Sequence, residues 1–240
     1  VLRTLLGAAP CPWDGLLGDT AASMKAFMRK ADKQASEAGI QASRYRAYAI
    51  WTEGLLRSLE ELEESLFAAQ LFAERIAHVK WAELAEQEKL DYGRHVYFDK
   101  NAYIRLFSLL DKLGTLMNDL LELRTERIKA KYSYFTVLRR MRETGRHPEL
   151  TARLNALKEN HRAAMNRLRA RRNMEIHYMN AELKDDLQAG RRLAGGTEGG
   201  YMRLEDLSAN LADAQEGWEM VVGTLQAVYE FAGRQLRRTS

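Results

Sequence analysis

The chain has 240 residues, 46% of them hydrophobic and 29% charged, with a formal net charge of +4. That is enough apolar material for a sizeable core and excludes global disorder. The lone cysteine, Cys11, excludes an intrachain disulfide framework, and no apolar run approaches the roughly 18–20 residues that cross a bilayer. A cytoplasmic protein without a membrane span is therefore expected. The charge is unevenly spread. Residues 124–172 hold 15 Lys/Arg against 4 Asp/Glu, whereas residues 53–91 hold 10 acids against 4 bases. Two readings stand: a basic surface for a polyanion with an acidic surface elsewhere, or pairing of the two regions inside the fold.

The only prolines are Pro10, Pro12 and Pro148, and the intervening chain is rich in Ala, Leu, Glu, Lys, Arg and Gln. These are strong helix formers, while Val and Ile, the usual strand residues, are scarce. The fold class expected is all-α: one bundle of long antiparallel helices, a single domain over residues 1–240. Residues 1–17 form an N-terminal extension. In chain order, apolar spacing predicts a helix over 18–37 with Met24, Phe27, Met28 and Ala31 inward. A long helix over 41–79 carries the stripe Trp51, Leu55, Leu59, Leu62, Leu66 and Ala69. A short helix over 83–93 stops at Gly93. The next, over 99–122, buries Tyr103, Leu106, Phe107, Leu110, Leu113, Met117 and Leu120. A basic helical stretch over 125–144 ends at the breaker "TGRHP". One helix then covers 149–188, a flexible loop 190–202 contains "GGTEGG", and a final helix covers 203–237.

Chemistry-bearing residues concentrate in "RRNMEIHYMN", residues 171–180. On a helix Arg169, Asn173 and His177 share a face, whereas Arg172 and His177, five apart, diverge by about 140°. The latter two converge only if the helix is distorted, or if a second copy of it lies antiparallel across a two-fold axis. Histidine moves protons near neutral pH, and arginine holds phosphate bidentately. Together they suit attack of an RNA 2′-hydroxyl on its neighbouring phosphate, with no metal. Asn173 could orient the imidazole or donate to phosphate. Spacing alone leaves open an ordinary pair, a surface arginine and a packed histidine.

"RNMEIH" resembles the R-x4-6-H motif of HEPN domains, in which asparagine often follows the arginine. The aromatic-rich helix "NAYIRLFSLLDKLGTLMNDLLEL", followed by a basic helix and then the motif helix, is similar to a group of bacterial HEPN-like proteins. The resemblance covers about residues 95–185. It implies a helical bundle that dimerises through the motif helix, and a metal-independent endoribonuclease leaving 2′,3′-cyclic phosphate ends. It implies Arg172, Asn173 and His177 as the catalytic group, no cofactor, and a setting in toxin–antitoxin or phage-defence systems with an antitoxin or regulatory partner. The alternative within the same resemblance is a non-catalytic module that dimerises and binds RNA, a nucleotide or a protein. HEPN toxins paired with nucleotidyltransferase antitoxins often carry a modifiable tyrosine two positions after the histidine. Here Tyr178 is one position after it and Met179 two.

Arg162, Arg167, Arg169 and Arg171 precede the motif with no acid between residues 160 and 174. Arg167, Arg169 and Arg171, with Tyr178, are the candidate RNA contacts; the alternative is a solvated or ion-paired face. Tyr132, Tyr134 and Phe135 lie among Arg127, Lys129, Lys131, Arg139 and Arg140, where core packing is favoured over base stacking. Glu60, Glu61, Glu63 and Glu64 lack the Glu-x-x-His companions of a di-iron bundle, so they read as a solvated or partner-facing face and no metal site is expected. His78, His95, His147 and His161 read as structural. Asp185 and Asp186 lie two turns past the motif. A purely structural bundle would also accommodate the long helices.

Overall fold

A computed structural model of the protein describes residues 1–37, 39–177 and 204–238, without the side chains of Ile40, His177, Arg237 and Arg238. The described residues form eight α-helices and no strand. They are α1 (Leu2–Leu5), α2 (Gly15–Glu37), α3 (Ala42–Ala73), α4 (Glu86–Leu120), α5 (Tyr134–Thr144), α6 (Pro148–Asn160), α7 (Arg162–His177) and α8 (Leu207–Arg238). The all-α expectation holds. No helix among the described residues is long and apolar enough to cross a membrane.

The contacts cluster into two compact units. The first comprises Val1–Pro10, Leu62–Ile104 and Ala163–Gly217; the second comprises Cys11–Glu61, Arg105–Arg162 and Trp218–Ser240. In the second unit Phe27 of α2 meets Tyr229 of α8 edge-on at 5.3 Å. The Tyr229 hydroxyl donates to Thr52 Oγ1 of α3 at 3.0 Å. Gly114 of α4 allows a close approach: a Cβ there would lie 2.9 Å from the Tyr134 Cα, so the first residue of α5 rests on the α4 backbone. Tyr134 is fully buried, as its core reading requires, and its backbone N–H donates to Asp111 Oδ1 at 3.0 Å. In the first unit Phe72 stacks on Phe98, and the buried His95 bonds through Nδ1 to the Ala69 carbonyl.

Several helix boundaries differ from expectation. The segments expected as two helices, 83–93 and 99–122, form the single helix α4. Gly93 lies inside it, where glycine costs about 1 kcal/mol relative to alanine. The apolar face anticipated for residues 103–120 offsets that cost, since Leu106, Leu110, Leu113 and Met117 are all buried. The α4 start is set by Glu88, whose carboxylate accepts from the backbone N–H of Ala85 (2.8 Å) and of Ala77 (2.9 Å). Those two bonds, with His78 adding to them, hold the Glu88 carboxyl down at about 2. The same carboxylate ties the segment after α3, which stops at Ala73 rather than 79 with no glycine or proline to mark it.

Residues 125–133 are not the anticipated helix. Asn118 Oδ1 accepts the buried Thr125 N–H (2.8 Å) and Asn118 Nδ2 donates to Glu126 (2.9 Å), so the α4 exit is a turn closed by one side chain. Glu122 and Arg124 take left-handed φ within it. Of the single helix expected over 149–188, the described part, up to residue 177, is two helices, α6 and α7, separated at His161, whose φ of −102° and ψ of 15° interrupt the helix. Both breaks arise from side-chain and bridge-region geometry, which leaves no glycine or proline signal.

The acidic residues of α3 have partners. Arg3 Nε donates to Glu63 Oε1 at 3.0 Å while its guanidinium covers Phe67, and the Leu2 N–H donates to Glu64. Glu61 pairs with Arg105. The partners seen for this acidic stretch thus lie outside the basic region 124–172.

Candidate functional site

α7 carries the motif. Its sequence is dominated by Ala, Leu, Met and Arg, and Ala164, Met165 and Leu168 are buried. Three ion pairs of the first unit pin it. Arg167 grips Asp213 of α8 with both Nε (2.8 Å) and Nη2 (2.6 Å). Arg171 pairs with Asp99 of α4, a buried carboxylate, and its guanidinium lies 5.0 Å from the Tyr103 ring. Lys100 Nζ meets Glu175 Oε2 at 2.8 Å. Burial, and then the nearby Glu175 charge, push the Tyr103 hydroxyl above the usual tyrosine range. Asp99 and Asp213 lie 72 and 46 residues from their arginines, so no local sequence signal marks them.

Two of the expected RNA contacts, Arg167 and Arg171, are thus engaged by carboxylates. They differ in access: the Arg167 side chain is 61% exposed and that of Arg171 19%. Arg169 is half-buried on the same helix. Arg162, at the start of α7, is exposed and lies 3.5 Å from Glu159.

Arg172 is half-buried, and its Nη2 and Nε both donate to Asn173 Oδ1, at 2.7 and 3.2 Å. The asparagine therefore orients the arginine, and its amide Nδ2 is the end able to donate to a phosphate oxygen. His177 is the last residue of α7, and the helix is regular from Arg162 to it. Positions 172 and 177 consequently project about 140° apart, and distortion does not bring them together within one chain. Met174 and Ile176, two positions apart and so on opposite sides of the helix, stand 52% and 51% exposed. Tyr178, Asp185, Asp186 and the loop 190–202 lie outside the described residues.

Residues 51–233 match the family model described as HEPN_Cthe2314-like HEPN. The chain belongs to this HEPN family. The match extends well beyond residues 95–185 at both ends. No curated protein and no solved structure matches the chain. Three of the other four histidines of this HEPN protein have these partners: His78 with Glu88, His95 with the Ala69 carbonyl, and His147 edge-on to Phe231.

Proposed function

We propose that this HEPN protein is a metal-independent endoribonuclease whose site is completed by a second copy of the chain. One observation carries the reading: α7 stays regular through residue 177, so positions 172 and 177 lie about 140° apart around the helix, and a two-fold partner helix is an arrangement that would bring an arginine to a histidine. The exposed Ile176, which falls between the two positions around the helix, supplies apolar surface for such a helix pair. In this mechanism the 2′-oxygen attacks phosphorus and the P–O5′ bond breaks. The His177 imidazole takes the 2′-hydroxyl proton, and a second imidazolium supplies one to the departing 5′-oxygen. Arg172, held by Asn173, neutralises the charge that gathers on the phosphoryl oxygens. The exposed flank of Arg167, with Arg169, guides the strand. Such a nuclease belongs in the cytoplasm, in a toxin–antitoxin or defence setting under a regulatory partner.

The engagement of Arg167 and Arg171 by acids favours a second reading, a HEPN module that dimerises and binds without cutting. Labelled unstructured RNA incubated in excess EDTA separates the two. The nuclease leaves 2′,3′-cyclic phosphate ends, and His177→Ala lowers its rate by at least about 100-fold while the protein remains folded and dimeric. Full activity in that variant refutes the assignment. RNA bound but uncut by the wild type establishes the module instead.

A further inference from the structure

The second unit holds a concavity of about 330 Å³ walled by Arg124, Arg127, Arg140 and Arg146, with Glu122 as its only acid. Glu122 is already engaged, since Arg44 Nη1 donates to its carboxylate at 3.2 Å. Two of the arginines are fixed to the α4 exit turn: Arg140 Nε donates to the Leu123 carbonyl and Arg146 Nη1 to the Glu122 carbonyl. Nearby Glu126 is bound by Asn118, and this bond, followed by the charges of Arg127 and Arg124, holds its carboxyl below the usual range. Four guanidiniums around one small volume repel one another, an excess that Glu122 and the nearby Glu126 offset only in part.

Backbone strain falls at the same place. Among the described residues, Glu122, Arg124 and His147 are the non-glycine residues with left-handed φ, at 52°, 54° and 52°. All three line this concavity or the cleft beside it. Residues held in such conformations cluster where a structure grips a ligand. The neighbouring cleft, about 540 Å³, shares Glu122 and Arg146 with the first and adds Tyr45, Tyr48 and His147.

We propose that Arg124, Arg127, Arg140 and Arg146 form a binding site for an oligophosphate, the chemistry shared by nucleoside triphosphates and inorganic polyphosphate. Guanidinium groups match phosphate oxygens in pairs. A chain of directly linked phosphates concentrates more negative charge in this volume than an RNA strand, whose phosphates are separated by ribose. The site is independent of the α7 motif and does not rest on nuclease activity.

The test is calorimetric titration of the full chain, in EDTA, with inorganic tripolyphosphate and with ATP. The double variant Arg124→Gln/Arg127→Gln changes two exposed side chains; circular dichroism checks its fold. Binding weakens by at least about tenfold in that variant and is unchanged in Arg139→Gln, whose partner is Glu143. His177→Ala binds as the wild type does, so failure of the nuclease reading leaves this result intact. Tighter binding of ATP than of tripolyphosphate, with the excess lost in Tyr45→Ala, identifies a nucleotide whose nucleoside enters the neighbouring cleft. Equal affinities, with Tyr45→Ala silent, identify the inorganic chain. The proposal is overturned if neither probe binds, or if Arg139→Gln weakens binding as much as the double variant. It is also overturned if unstructured RNA binds through these arginines and tripolyphosphate does not compete.

Discussion

Replacing Arg171 with alanine leaves the Asp99 carboxylate, 4% exposed, without its cation. The same guanidinium also lies 4.0 Å from Glu205 and against the Tyr103 ring, so one substitution removes a buried ion pair and an aromatic contact together. Breaking a buried pair from one side costs about 3–5 kcal/mol, because the remaining charge is stranded in a poorly solvated site. For a chain of this size that corresponds to roughly 6–20 °C in Tm. Urea denaturation followed by circular dichroism, with a thermal scan in parallel, measures both. Asp99→Asn placed on Arg171→Ala removes the stranded charge and recovers part of the loss, and the full double-mutant cycle isolates the coupling. Arg167→Ala, whose side chain is largely exposed, loses much less despite its bidentate grip on Asp213. A loss below about 1 kcal/mol for Arg171→Ala would falsify the structural role and return Arg171 to the set of residues available to RNA.

Two further outcomes follow from the second unit. Burial holds the His147 imidazole below the usual histidine value, partly opposed by a hydrogen bond to the Leu121 backbone. The unfolded chain therefore binds the proton more readily, so this contribution to stability is complete above about pH 6.5 and is lost as pH falls below it. His147→Asn, a residue that tolerates left-handed φ, flattens the pH dependence of Tm between pH 7.5 and 5.5; an unchanged slope contradicts the assignment. Gly114→Ala forces a Cβ against the Tyr134 backbone at 2.9 Å and destabilises by about 1–3 kcal/mol, and a neutral denaturation midpoint would show that α5 moves freely off α4.

The helical class was legible because strong helix formers and periodic apolar residues pointed the same way. Met24, Phe27, Leu55, Leu59, Leu62 and the α4 face from Tyr103 to Met117 are buried as their spacing indicates. The stripe was wrong at two positions, Trp51, which is 39% exposed, and Leu66, which is half-buried, and Tyr48 and Phe72 are the buried aromatics of α3. The helix ends were legible only where the backbone residue itself carries the signal, as at Gly145 and Pro148. Where a distant side chain makes the end, as Glu88 does for Ala77, periodicity contains nothing to read. The motif was visible as residue types and spacing. What Arg167 and Arg171 do was not, because an arginine bound to a carboxylate dozens of residues away has the same sequence signature as one facing solvent.

Asn118 has a consequence beyond the turn it closes. The segment bearing Arg124 and Arg127 is anchored to α4 by a neutral amide, through the Thr125 N–H and the Glu126 carboxylate. A neutral anchor is far less sensitive to ionic strength than an ion pair would be. Added salt can therefore weaken whatever anion these arginines hold without loosening the frame that presents them, so recognition there is tunable by the medium while its geometry is not.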